Sequence, residues 1–129
     1  MTSRALADTS IFIADETGRQ IDPAHLPNEL AVSVITIAEL RAGVLATNDL
    51  ATRDLRLRTL TAALALDPVP IDTRVAERWA QLRVLLRDSG LRMGVNDSWI
   101  AATAMTLDIP VLTQDDGFPA LDELEIWRV

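Results

Sequence analysis

"NDSWIAATAMTLDIPVLTQDD", residues 96–116, is the stretch whose reading decides the fold class. Ile100 and Ala101 stand three and four positions after Asp97, and Ala104 a further turn along, the spacing of one buried helix face. The apolar run "IPVLT" that follows is short, β-branched in part and preceded by a break, which predicts a strand. A helix leading into a buried strand is the unit from which a parallel sheet with helices on both faces is built. Two aspartates, Asp115 and Asp116, come directly after it. Carboxylates at the end of a buried strand lose water and repel each other, so their placement calls for a compensating partner.

The same alternation runs outward from this stretch. A short strand in "RALADTSIFIA" ends near Asp8 and turns into a helix at "SIFIA". "ELAVSVIT", residues 29–36, predicts a second strand from its alternating β-branched residues, followed by the helical "IAELRAGVLA". From Leu50 to Leu66, leucine and alanine recur at helical spacing among arginines, a helix with an exposed basic side. "DPVPIDTR" predicts a short strand, with Asp72 or Thr73 capping a helix whose apolar stripe is Val75, Trp79, Leu82 and Leu86. A glycine in "DSGLRMG" stops that helix, and "LEIWRV" is a last strand. Residues 1–129 therefore read as a single α/β domain with a central, mostly parallel β-sheet flanked by α-helices.

Composition removes several kinds of chemistry. The 129 residues contain no cysteine, which excludes disulfides, thiolate zinc sites and cysteine nucleophiles. All 12 basic residues are arginine, which excludes mechanisms built on a Schiff-base or phosphate-pairing lysine. The one histidine, His25, lies in the proline-flanked "DPAHLPNE" and reads as a solvated loop residue rather than a general base. Nineteen acids give a net charge of −7, which argues against a simple basic nucleic-acid-binding surface. No apolar run approaches the ~20 residues of a membrane span, and "MTSRALADTS" lacks a signal-peptide core. A cytoplasmic protein with no membrane contact is the expectation.

In a parallel α/β sheet the functional crevice lies outside the carboxyl ends of the strands. Asp8 follows the first strand and Asp115 follows "IPVLT"; Glu39 falls in the first turn of the helix after the second strand, and Asp97 starts its own helix. Four acids from four remote segments thus converge on one rim. Glu39 shares its helix face with Ala42 and Gly43, small residues that allow close approach to the sheet. A helix N-terminus favours Asp97 as an anion by only ~1 kcal/mol, so gathering several carboxylates calls for a stronger cation. Mg²⁺ or Mn²⁺ takes oxygen ligands and needs neither cysteine nor histidine, and it lets an acidic protein meet a polyanion. Simpler readings stand beside this one. Asp8 is also a candidate helix N-cap, Asp97 a partner of Asn96 in capping, and Glu39 an ordinary helix acid near Arg41. Asp116 and Gly117 read as a turn pair, and Trp79 and Trp99 as core or interface.

"ADTSIFIA", "VITIAELRAGVL", "GVNDSWIAATAM" and "IPVLTQDDGF" together resemble the four acidic motifs of PIN-domain ribonucleases, in the order and spacing of the VapC toxins of VapBC toxin–antitoxin modules. The similarity runs from Leu6 to about Leu121. It implies a three-layer α/β/α PIN domain whose metal-binding and catalytic acids are Asp8, Glu39, Asp97 and Asp115. Asp115 fits the family's threonine-x-aspartate motif and Asp116 does not. Thr9, Ser10 and Thr113 would supply hydroxyls beside the acids, Asn96 would lie at the rim, and Arg41 and Arg92 would be candidates for phosphate contact. The implied activity is Mg²⁺- or Mn²⁺-dependent hydrolysis of RNA phosphodiesters by an endoribonuclease toxin. The implied partners are a VapB-like antitoxin, with Leu50–Leu66 as one candidate part of its groove, and a second copy in a homodimer.

Receiver domains and haloacid-dehalogenase-type phosphatases also set aspartates at strand ends, but both call for a lysine that this chain lacks. A non-toxin PIN nuclease of RNA processing and a catalytically idle PIN interaction module remain as alternatives.

Overall fold

Four short strands pair in parallel, and their side-chain alternation sorts the helices into two layers. The computed structural model describes residues 3–129. In chain order the elements are β1 (Arg4–Ala7), α1 (Thr9–Thr17), a 3₁₀ turn (Pro23–His25), β2 (Glu29–Ala31), α2 (Val34–Leu45), α3 (Leu50–Leu64), α4 (Thr73–Ser89), α5 (Val95–Leu107), β3 (Val111–Thr113) and β4 (Ile126–Arg128). The sheet order is β2-β1-β3-β4, with Leu6 opposite Ala31 on one side and Val111 on the other. Every pairing is parallel, so all four carboxyl ends lie along one edge.

Period-two alternation places Leu6 and Val111 in one layer, packed with Val75, Leu82 and Leu86 of α4 and Ile100, Ala101 and Ala104 of α5. Ala5, Ala7 and Leu112 face the other layer, against Ile11 and Phe12 of α1, Leu40 and Val44 of α2 and Leu60 of α3. This is the expected three-layer α/β/α arrangement. Asp72 caps α4 by accepting from the Val75 N–H at 3.0 Å, and Gly90, at φ 67°, ends the helix in the left-handed conformation that glycine adopts freely.

Several local expectations need correction. The second strand stops at Ala31 rather than running to Thr36, because the buried Ser33 accepts from the Ile35 N–H at 3.0 Å and starts α2 at Val34. A side-chain cap outweighs the small helix penalty of Val34, Ile35 and Thr36, and it puts Glu39 in the second turn, not the first. The strand expected in "DPVPIDTR" shrinks to one bridge, Ser33 to Val69. Val69 makes both ladder bonds, donating to Val32 O and accepting from Val34 N, while Pro68 and Pro70 on either side have no N–H to continue it. The basic side of α3 is only partly exposed: Arg56 donates to the Gly43 carbonyl at 2.7 Å and Arg53 to that of Thr47 at 2.9 Å, meeting α2 and the carbonyls that follow it. Gly43 accordingly faces the Arg56 side chain on α3 and not the sheet. Replacing Ser33 by alanine should cost about 1 kcal/mol in urea unfolding through loss of the cap; an unchanged midpoint would overturn this account of where α2 begins.

Candidate active site

The parallel sheet delivers Asp8 and Asp115 to the same edge. Asp8 is the residue after β1, where its backbone N–H donates to Leu112 O on β3 at 2.9 Å, and its side chain is only 2 % exposed. Although Asp8 occupies the N-cap position of α1, its carboxylate makes no cap bond. It accepts instead from Ser10 Oγ at 2.9 Å and Thr113 Oγ1 at 2.8 Å. Two hydroxyl donors offset the desolvation of a carboxylate held this deep.

The same hydroxyls fix the backbone after β3. Gln114 N donates to Ser10 Oγ at 3.0 Å, and Asp115 N donates to Thr113 Oγ1 at 2.9 Å. Asp115 is exposed, and Asp116 points fully into solvent with Arg128 Nε 3.4 Å from its Oδ1. Arg128 also reaches the carbonyls of Asp115, at 3.3 Å, and Phe118, at 3.4 Å. The turn carrying Asp115 is thus tied to β4 behind it.

On α2, Glu39 Oε1 accepts from Thr9 Oγ1 at 2.7 Å, and Thr9 Oγ1 lies 3.0 Å from the buried Thr36 Oγ1. Thr36 is one helical turn before Glu39 on the same face and was missed from sequence, because residues 29–36 read as a strand. Asp97 is the third residue of α5, whose N-cap is Gly94, so it is not the cap. Asn96 is exposed beside it. Burial, and then the charges of Asp8, Glu39 and Asp115, push the Asp97 carboxyl up to about 6. Asp97 therefore feels the field of the other three acids. Gly117 was read as part of a turn, yet a β-carbon there would stand 2.9 Å from Asp97 Oδ2.

The remaining expected residues lie apart. Arg41 and Arg92 are exposed, and among the described residues neither forms an ion pair. His25 pairs with Asp22 at 2.7 Å and, with Trp127 and Arg128, lines a cavity of about 330 Å³ that none of the four acids reaches. Trp79 and Trp99 stack at 4.4 Å against the α4–α5 core, with Trp79 Nε1 donating to Ser98 Oγ at 2.9 Å.

The donor set is all oxygen, and among the described residues no arginine pairs with the carboxylate of Asp8, Glu39, Asp97 or Asp115. That chemistry fits a hard divalent cation. Among the described residues no three acids or histidines are arranged to hold a metal as they stand.

A group whose proton is held more tightly in the folded chain than in the unfolded one destabilises the fold as pH rises through its folded pKa. In EDTA, the stability of wild type relative to Asp97→Asn should therefore fall between pH about 4 and about 6. Above that the variant should be the more stable, by about 1 kcal/mol once solvent screening of a half-buried group is allowed for. Parallel pH profiles for the two proteins in urea unfolding would contradict it.

The PIN domain model matches residues 5–124. Ribonuclease VapC5 of Mycobacterium tuberculosis is 49% identical over 125 residues, covering 95% of this chain and 93% of that protein. Ribonuclease VapC4 of the same organism is 45% identical over 127 residues, covering 98% and 97%. The crystal structure of VapBC-5 from Mycobacterium tuberculosis, a member of the VapBC family of toxin-antitoxin systems, superposes with a TM-score of 0.90 at 45% identity, covering 98% of this chain and 99% of that one.

Proposed function

The chain belongs to the PIN domain family and, within it, to the VapC group, and on that premise we propose that it is a metal-dependent endoribonuclease, the toxin of a toxin–antitoxin pair. The observation that carries this reading is the convergence on Asp97, whose carboxyl is pushed up by burial and by three acids from three other segments, with, among the described residues, no arginine paired to any of the four.

Asp8, Glu39, Asp97 and Asp115 would hold Mg²⁺ or Mn²⁺. Such an ion, when bound, polarises a scissile phosphate and acidifies water. The chain's own contribution is orientation. Ser10 and Thr113 set the Asp8 carboxylate, and Thr9, backed by Thr36, sets that of Glu39. Asn96, exposed beside Asp97, offers an amide to the substrate backbone, and Arg41 and Arg92 offer guanidinium groups farther out. An open, exposed rim suits single-stranded or looped RNA, whose phosphodiesters can be splayed onto it.

A VapB-like antitoxin is the proposed partner, and the solved VapBC-5 relative supports it. Leu50, Leu57 and Leu64, seven residues apart, are all exposed along one side of α3, so core packing accounts for Leu60 but leaves an apolar stripe for an antitoxin segment or a second copy in a homodimer. None of the helices is long and apolar enough to cross a membrane among the described residues, and a cytoplasmic location is part of the same proposal.

Cleavage of a panel of structured RNAs should require Mg²⁺ or Mn²⁺, and a folded Asp97→Asn variant should lose at least about a hundredfold in rate, a loss of more than ~2.7 kcal/mol of transition-state stabilisation. Equal cutting by both proteins would place the activity elsewhere. Silence from both, with no metal binding by calorimetry, would favour an idle interaction module.

A further inference from the structure

Gly117 makes no turn that needs glycine: its φ is not in the left-handed region. What singles it out is space, because a β-carbon at 117 would lie 2.9 Å from Asp97 Oδ2 and 4.0 Å from Asp97 Cγ. The first distance is well inside van der Waals contact, so an alanine there forces either the 115–118 turn or the Asp97 carboxylate to move.

The turn is the harder of the two to shift. Its start is held by the Asp115 N–H on Thr113 Oγ1 at 2.9 Å. Its end is anchored by Phe118, only 2 % exposed in the core, and Arg128 donates to the carbonyls of both Asp115 and Phe118. The Asp97 carboxylate is by contrast the free end of a rotatable side chain. We propose that Gly117 is a positioning residue for Asp97: its missing side chain lets the Asp115 turn close against the Asp97 carboxylate and so brings two of the four acids within reach of one cation. This inference rests on the metal-site reading above.

Gly94 supplies an internal control. It is the N-cap of α5, on the same carboxylate, but a β-carbon there would sit an unstrained 3.8 Å from Asp97 Oδ2. Mn²⁺ binding should be measured by calorimetry for wild type, Gly117→Ala, Gly94→Ala and Asp97→Asn, with the melting temperature of each in EDTA and the Mn²⁺ concentration for half-maximal RNA cleavage. Gly117→Ala is expected to weaken Mn²⁺ about tenfold and to raise the half-maximal concentration to match, in line with the effect of disturbing a ligand's supporting groups. Its melting temperature in EDTA should stay within a few degrees of wild type, and Gly94→Ala should bind as wild type. Wild-type affinity in Gly117→Ala, alongside loss in Asp97→Asn, would overturn the positioning role and leave the metal site intact. Equal weakening by Gly94→Ala would also overturn it, since crowding at 2.9 Å would then not be the cause. No Mn²⁺ binding by wild type would overturn the metal-site reading itself.

Discussion

A buried carboxylate must find donors, and Asp8 finds them on two segments that only the folded sheet brings together. Thr113 Oγ1 gives its proton to Asp8 and accepts the Asp115 N–H, so one hydroxyl couples the ends of the two central strands. Ser10 repeats the arrangement from the other side, donating to Asp8 and accepting the Gln114 N–H. Pairing of β1 with β3 thus fixes the backbone from which Asp115 projects, and the acidic rim inherits its geometry from the centre of the sheet. The hydroxyls are as much a part of the site as the acids, since a lone carboxylate at this depth would carry an uncompensated desolvation cost.

The chain's arginines complete the picture by where they do not go. Arg53 and Arg56 are committed to carbonyls of α2 and the loop after it, Arg58 to Asp54 on its own helix, and Arg128 to the turn behind Asp115. The acids that meet at Asp97 keep their mutual repulsion. In a protein net negative by seven charges, a divalent ion bound at that rim would offset the local charge that a polyanion meets there.

Much of this was legible in the sequence because it follows from periodicity. The α5–β3 stretch, the Asp72 cap, the Gly90 stop and the buried face of Asp97 all depend on local spacing, and the structure reproduces them. The misreadings came where one local rule overrode another. Three β-branched residues looked like strand, but Ser33 captured the Ile35 N–H and made them the first turn of α2, which hid Thr36 from view. Long-range features left no local trace at all. Arg128 reaching back to the Asp115 turn, and Gly117 pressed against Asp97, join residues whose neighbourhood exists only after the sheet has formed.

The strand order has a consequence for synthesis. A ribosome releases the chain from the Asp8 side, yet Asp8 bonds to Thr113, 105 residues further on, and β4 lies beyond that. Between them α1 to α5 emerge with half of their sheet, β3 and β4, still missing. Pairing at such long range is slow and comes late. The rim of carboxylates is therefore among the last things the polypeptide completes, and a nascent chain stalled before β3 carries three of the four acids without the strand that holds Asp8 in place.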